Sequence, residues 1–519
     1  MGAEASSSND ARRIAQLEAQ VRTLTQQLDW FKRQLFGRKS EKRVVMDSSH
    51  QPLLDGLLDA QAESAAPPAP TETITYERRK GKRRDESCVT DEGLRFDASV
   101  PVQVIELSAP QLEGADAADY EIIAYKRTRR LAQRPASYVV LEYVRPVVKR
   151  KSTERLMTVP APSALWEGTM ADVSVIAGLI EDKCVYYLPL YRQHQRLARS
   201  GVTVSRAVLS TWVHRAAQLL RPVYDAQLRH ILQSKILAMD ETSIRAGRDR
   251  GKRKMHRAWL WPLYGDADEV AFTYCSHHGR KHVLDTLGEF SGTLLCDGLS
   301  AYEHYAATHE RVTLAQCWSH TRRYVERAQG AEPEAAAEAL ELIGRLYKVE
   351  KHIREHEFTG DDKRAYRIEH ARPVVERFFE WCEQQCQRIE LVPTNPLTTA
   401  LHYARERQGP LSVYLTEPDL QIDTNHLERE IRPVALGRKN WLFCWTEVGA
   451  ERLAILHSLL STCRLHGVHP YTYLVDVLQR VSIHPDSAVE ELTPRRWKDL
   501  FADNPLRSDL QFAVNTVVV

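Results

Sequence analysis

Two apolar runs, each closed by an aspartate, constrain this chain more than any other feature. Ile236-Leu237-Ala238-Met239 stops at Asp240, and Thr293-Leu294-Leu295-Cys296 stops at Asp297. Such runs read as short buried strands whose carboxylates emerge at a sheet edge. Between them lie two more strand-like runs, at 258–264 and 270–274, separated by Gly265-Asp266-Ala267-Asp268, as expected of an antiparallel meander. Residues 281–290 then fit a short helix with Val283, Leu284 and Leu287 inward and His282, Asp285 and Glu289 outward. A further strand is predicted at 312–318, just before His320-Thr321-Arg322-Arg323.

Three strands, a helix and a strand with a second terminal aspartate resemble the order of the RNase H-like fold. In that fold the first and fourth strands are neighbours. Asp240 and Asp297 are therefore expected at one edge, where two carboxylates can bridge two hard divalent cations. A third ligand is expected from a later helix. In Asp423-Thr424-Asn425-His426-Leu427-Glu428-Arg429-Glu430-Ile431-Arg432-Pro433, Thr424 is the expected cap and Pro433 the expected end. Leu427 and Ile431 share the inner face while Asn425 and Glu428 share another, which favours Glu428 over Glu430 as the ligand. Singly, a strand-end carboxylate is more often a turn or cap residue, and a helical Glu is usually solvated. The order of the elements is what joins the three.

Upstream, Ile14, Leu17, Val21, Leu24, Leu28, Phe31 and Leu35 recur at three- and four-residue steps, which predicts a coiled coil over 1–45 and a homo-oligomer built through it. Packing of that seam against the rest of the chain is the competing reading. Residues 46–73, rich in Ala, Pro, Ser and Asp, read as a linker. A strand-rich basic module follows over 74–160, with strands around 102–105 and 138–144. Residues 161–228 carry a helix-turn-helix pattern: Gly201 supplies the turn, Ser205 the cap, and Leu209, Trp212, Val213 and Ala216 the buried stripe. That packing leaves Arg206, Ser210 and His214 outward, the set expected to reach a DNA groove. The catalytic core is expected over 229–323 and 417–470, interrupted by a helical insertion at 324–416, with a C-terminal region at 471–519.

Lys and Arg number 71 against 69 Asp and Glu, so the formal charge of +2 is silent about partners, but its distribution is not. Basic residues cluster at 32–43, 78–84, 126–130 and 149–151, where a phosphate backbone is attracted by counterion release. The nine cysteines form no Cys-x-x-Cys pair and read as reduced core thiols. No apolar stretch is long enough to span a bilayer, and residues 1–10 lack the apolar block of a secretory signal. The expectation is a cytosolic protein with no membrane partner.

Several motifs then join into one resemblance. They are Gln34-Leu35-Phe36-Gly37-Arg38-Lys39-Ser40-Glu41-Lys42, Leu188-Pro189-Leu190-Tyr191-Arg192-Gln193, Asp240-Glu241-Thr242 and Cys317-Trp318-Ser319-His320-Thr321-Arg322-Arg323. The most specific block runs from Glu428-Arg429 through Arg432-Pro433-Val434-Ala435-Leu436-Gly437-Arg438-Lys439-Asn440-Trp441-Leu442-Phe443. Over nearly its whole length the chain is similar to the insertion-sequence-66 family of bacterial DDE transposases. The resemblance implies a multidomain α/β protein with an RNase H-like core, Mg2+ (or Mn2+) as cofactor, and element terminal repeats and target DNA as substrates. Small accessory proteins encoded by the same element are implied partners. One departure is plain: the family usually carries a Cys-rich zinc module here, whereas this chain has only Cys88 before the helical region. A structural zinc site needs four ligands, so no zinc is expected.

On this reading two metals held by Asp240, Asp297 and Glu428 activate water at the scissile phosphodiester and stabilise the leaving 3′ oxygen, and the freed 3′-OH then attacks target DNA. Arg322, Arg323, Arg438 and Lys439 are the expected phosphate clamps. His320 and Asn425 are auxiliary groups, with a buried structural imidazole as the competing role for His320. Two other functions fit the same residues: a catalytically silent DNA-binding regulator, and an RNase H-like nuclease or resolvase that cuts without joining. Cleavage of element-end DNA and recovery of strand-transfer products discriminate among the three.

Overall fold

The computed structural model describes residues 94–511 other than 97, 99, 114–116, 135–136, 249–253 and 390, together with the strand at 516–517. The seam from Ile14 to Leu35, the linker at 46–73, the basic runs at 32–43 and 78–84, and Cys88 lie outside the described residues.

The first part is a sheet of β1 (Arg95–Phe96), β2 (Val102–Glu106), β3 (Tyr120–Arg134), β4 (Ser137–Arg150) and β5 (Leu156–Thr158), of which β1 pairs elsewhere. β3 and β4 form a long antiparallel hairpin, and β2 runs parallel to β4 on its other side. The β-branched run Val139, Val140 and Val144 suits a strand covered by neighbours, but it places Glu142 inside. Two cations of the 126–130 run answer that buried charge: Arg127 and Arg129 donate to Glu142 at 2.8 and 2.7 Å. Arg130 donates to the carbonyls of Pro162 and Ser163. In the 149–151 run Lys149 meets Glu154, Arg150 meets Asp119, and Lys151 meets the carbonyl of Ala118. The sequence reads both runs as bait for phosphate; the fold spends most of that charge on its own acceptors.

A helical layer follows, made of Val173–Cys184, Leu190–Arg199, Arg206–Leu219 and Arg221–Ile231. Gly201 turns the chain at φ +77° between the second and third helices, and β6 (Val202–Thr203) pairs with β1 there. Ser205 caps the third helix by accepting from the Val208 amide at 3.3 Å, and Leu209, Trp212, Val213 and Ala216 are buried beneath it.

The central sheet contains β7 (Ile236–Met239), β8 (Thr242–Arg248), β9 (Met255–Gly265), β10 (Val270–Cys275), β11 (Gly292–Cys296) and β12 (Val312–Gln316), in the order β10-β9-β7-β11-β12 with β8 attached to β9. β7, β11 and β12 run parallel; β9 runs antiparallel to β7, and β10, antiparallel to β9, completes the meander. Both faces of β7 and β11 are covered, which is why their sequences are unbroken apolar runs. β8 is absent from the sequence prediction, because Arg245, Gly247 and Arg248 dilute its apolar signal. The crossover helix spans Arg280–Leu287, shorter than expected, since Gly288 takes φ +51° and ends it. His282 turns inward rather than out: its Nε2 lies 2.8 Å from Thr273 Oγ1 and its ring centroid 5.4 Å from that of Trp261.

Between β12 and the last part of the core stand the helices Trp318–Ala328, Pro333–Glu355, Gly360–His370, Arg372–Cys386, Pro396–Arg405 and Gln408–Ser412. Arg367, fully buried, holds them to the returning chain: it forks onto Glu350 at 2.8 Å twice and donates to the carbonyls of Tyr414, Glu417 and Leu420. The next helix, Asn425–Trp441, runs through Pro433 instead of ending there. The proline forfeits one bond, and buried Val434, Gly437 and Trp441 keep the rest of the helix seated. Helix Glu447–Leu465 covers β10, where Ser458 Oγ and Thr462 Oγ1 accept from the Phe272 and Val270 amides at 2.8 and 3.1 Å. Helices Pro470–Arg480 and Pro494–Phe501 and the short β13 (Thr516–Val517), paired with β2, complete the chain.

Candidate active site

Leu237 of β7 lies opposite Leu294 of β11, and Ala238 opposite Leu295. Asp240 and Asp297, the residues that follow these strands, thus leave the sheet side by side. One carboxylate oxygen from each of Asp240, Glu241 and Asp297 lies within 4.8 Å of the other two. Asp240, 9% exposed, accepts the Glu241 amide at 2.7 Å; Asp297 accepts the Leu299 amide at 2.9 Å. Glu241 receives the Tyr302 hydroxyl at 3.2 Å and stands 3.1 Å from His278 Nε2. His278 is itself stacked on Trp261.

Burial pushes the Asp240 carboxyl up to about 8, and the neighbouring charges of Asp297, Glu241 and Glu428 push the same way. Burial and then Asp297 raise Glu241 to about 7. A group of acids that resists its own ionisation is completed by a cation, and hard carboxylate oxygens suit Mg2+ or Mn2+. The residues therefore fit the implied cofactor.

Glu428 sits in the first turn of Asn425–Trp441 and is not one of the three clustered carboxylates. Its Oε1 is 3.3 Å from Arg323 and 3.9 Å from His320 Nε2. Glu430 faces the interior, paired with Arg464. His320 is half-buried; burial lowers its pKa against the opposing pull of Asp297, and its Nδ1 has no hydrogen-bond partner among the described residues. Asn425 turns away to donate to Asp423 at 2.6 Å. Arg322 pairs with Glu326 at 3.1 Å, and Lys439 is exposed. Arg438 donates to the Ser243 carbonyl and, at 3.4 Å, to Thr242 Oγ1, which commits much of it to the protein.

Arg206 is exposed, its guanidinium 5.6 Å from the Tyr191 ring centre, and Ser210 is half-buried. His214 is not outward as expected. It packs toward helix Glu447–Leu465, and burial, aided by Arg452, pushes it down to about 4. Sequence reasoning missed Glu241, Tyr302 and His278. Alternation along a strand sets Glu241 opposite Asp240, but β7 ends at Met239 and releases the next residues from that rule.

The profile described as "Transposase IS66 family" matches residues 168–452, "IS66 C-terminal element" matches 458–495, and "Transposase C of IS166 homeodomain" matches 23–105. Similar curated proteins include three uncharacterized proteins of Sinorhizobium fredii (strain NBRC 101917 / NGR234). y4qI is 30% identical over 414 residues, covering 76% of this chain and 75% of its own. y4jD is 29% identical over 381 residues, 70% of this chain and 74% of its own. y4hP is 28% identical over 393 residues, 72% of this chain and 70% of its own.

Proposed function

The chain belongs to the IS66 family of transposases, and we propose that it is a DDE-type DNA transposase that cuts element-end DNA and joins the freed 3′-OH to target DNA. One observation carries this reading: Asp240 and Asp297 emerge from adjacent parallel strands with their oxygens, and those of Glu241, within 4.8 Å of one another. The strand order β10-β9-β7-β11-β12 and its pattern of one parallel half and one antiparallel half support an RNase H-like core at 229–323 and 417–470, interrupted at 324–416.

Asp240, Asp297 and Glu428 are the proposed metal ligands, with Glu241 the rival for the third place. Bound there, Mg2+ or Mn2+ would supply Lewis-acid activation of the attacking hydroxyl and stabilisation of the leaving 3′ oxygen. The chain's own contribution is position. Asp240 and Asp297 are fixed by a paired sheet edge, and each accepts a neighbouring backbone amide. Arg323 and His320 orient Glu428, and Arg323 leaves a cation beside the place of the scissile phosphate. Tyr302 and His278 fix Glu241. The helix pair Leu190–Arg199 and Arg206–Leu219 is the proposed reader of the terminal repeat, through Arg206 and Ser210. Self-association through the N-terminal seam, accessory proteins of the same element, and action at the cytoplasmic nucleoid belong to the same proposal.

The test is incubation of the full chain with duplex element ends and Mg2+. Nicked ends and strand-transfer products from the parent, and neither from Asp240→Ala, are expected. A parent that binds but never cuts makes it a regulator; cutting without joined products makes it a nuclease.

A further inference from the structure

Next to the carboxylate edge lies a second feature that the catalytic reading does not use. A cavity of about 530 Å³ is lined by Ser243, Ile244, Arg245, Met255, Arg257, Arg438 and Leu442. Ser243 is two residues beyond Glu241, so the cavity lining begins on β8, the strand that follows the acids. Arg245 and Arg257 are exposed, and among the described residues neither forms a salt bridge with a carboxylate. Three guanidinium groups around one hollow, without acidic partners, fit an anion and not an apolar guest.

The rim adds a different chemistry. Leu442 has φ +63° and ψ −46°, and the Phe443 amide bonds back to the Trp441 carbonyl at 2.7 Å, a tight three-residue turn that is costly for a residue with a Cβ. The chain after it is fixed to β8: the Cys444 amide donates to the Arg245 carbonyl at 2.8 Å and the Gly247 amide to the Cys444 carbonyl at 3.2 Å. Phe443 and Trp445 flank that anchor, 37% and 65% exposed, their ring centres 5.8 Å apart. Two aromatic rings held in solvent by a strained turn and a pinned strand make a platform, where a core would have hidden them.

We infer that this platform and cavity bind an unpaired nucleic-acid strand, with backbone phosphate against Arg245 and Arg257 and a base on Trp445. Planar rings offer stacking to any base, and arginines beside them track the backbone; a paired base has its faces covered and gains nothing from the rings. The position rests on the reading of the neighbouring carboxylates as the cutting site, from which the occupant would be the strand leading away. Charge complementarity selects this occupant, which carries a phosphate at every step, over a second copy of the chain, whose 69 acids are interspersed with 71 Lys and Arg.

The full chain is tested with a single-stranded oligonucleotide carrying 2-aminopurine and with the matching duplex, without added Mg2+. Trp445→Ala is expected to weaken the single strand about tenfold or more while changing the duplex by less than about twofold, and Trp445→Phe to retain binding. Arg257→Ala is expected to flatten the salt dependence on the single strand by about 0.7 in log-log slope. Equal losses on both DNAs, or none, overturn the inference. So does a drop in mass by light scattering in Trp445→Ala with unchanged single-strand binding, which makes the patch a contact between copies. Normal Mg2+-dependent cutting with no single-strand preference sinks this inference alone. A Trp445-dependent preference in a parent that cuts nothing upholds the platform and removes the catalytic reading.

Discussion

Asp297 stands beside Asp240, and its charge adds to burial in holding the Asp240 carboxyl near 8. The raised value turns the acidic edge into a dependence on pH and metal with a definite sign. In the unfolded chain Asp240 titrates near 4, so its contribution favours the metal-free fold at low pH and is lost as pH rises through about 8. Glu241 acts in the same direction up to about 7. The melting temperature of chelated protein should therefore fall between about pH 5 and about pH 8, by an amount worth a few kcal/mol in order of magnitude. Added Mg2+ should recover more of it at the upper end than at the lower. A metal response that is flat or larger at low pH in calorimetry would contradict the assignment.

Asp240→Asn isolates the same effect. The amide keeps the shape and removes the charge that burial penalises. In chelator near pH 8 the variant should melt higher than the parent, and Mg2+ should shift it less. A lower melting temperature would mean that the carboxylate is stabilised by a group other than a cation.

The helix pair yields a contrast between two residues that sequence set on one face. Arg206 is exposed, so Arg206→Ala should cost about 1–3 kcal/mol on element ends if it makes a bidentate base contact, and little on random DNA. His214 is half-buried beside helix Glu447–Leu465, so His214→Ala should lower stability and leave DNA affinity unchanged. Filter-binding and thermal melts separate the two. Equal losses of Arg206→Ala on both DNAs would demote it to a phosphate contact.

The two residues also mark what can be read from the chain before folding. Strands whose faces are both covered, such as Leu294-Leu295-Cys296, announce themselves as unbroken apolar runs, and the aspartates that end them are visible with them. The helix stripe of Leu209, Trp212 and Val213 is equally plain. What periodicity omits is the partner of the opposite face. His214 faces a helix more than 200 residues away in sequence, and Arg127 and Arg129 face Glu142 across a hairpin. Glu241 escaped because the third ligand was sought on a later helix, although Asp240-Glu241 already stood together at the end of β7. β8 escaped because its neighbour β9 supplies the packing that its own composition lacks.

Arg367 tests whether the helical insertion is a rigid part of the core. Removing the guanidinium leaves Glu350 buried without its counterion and several carbonyls without a donor, a loss of about 3–5 kcal/mol. Arg367→Met should show a lower melting temperature and proteolysis concentrated between Pro333 and Leu420. Unchanged melting would mean that the pair is dispensable to the fold.

The identity of the third ligand is the sharpest remaining test, because two glutamates compete for it on different grounds. Glu241 lies within the 4.8 Å cluster yet is held by Tyr302 and His278; Glu428 is outside it, turned to Arg323, and still contributes to the raised value of Asp240. A side chain tethered by an exposed arginine is released at small cost, whereas Glu241 gives up a part-buried bond from Tyr302 and an exposed contact with His278 when it turns. Asp240→Ala, Asp297→Ala and Glu428→Ala should each abolish Mg2+-dependent cleavage and strand transfer while element-end binding persists, since each removes negative charge near DNA. Glu241→Gln should retain measurable cleavage with weaker Mg2+ dependence. Glu430→Ala should cut normally and melt about 1–2 kcal/mol lower, because its partner Arg464 is half-exposed and its own carboxylate is structural. Full cleavage by Glu428→Ala together with complete loss in Glu241→Gln would move the third ligand onto the strand end. Normal cleavage by Asp240→Ala or Asp297→Ala would remove the catalytic site altogether.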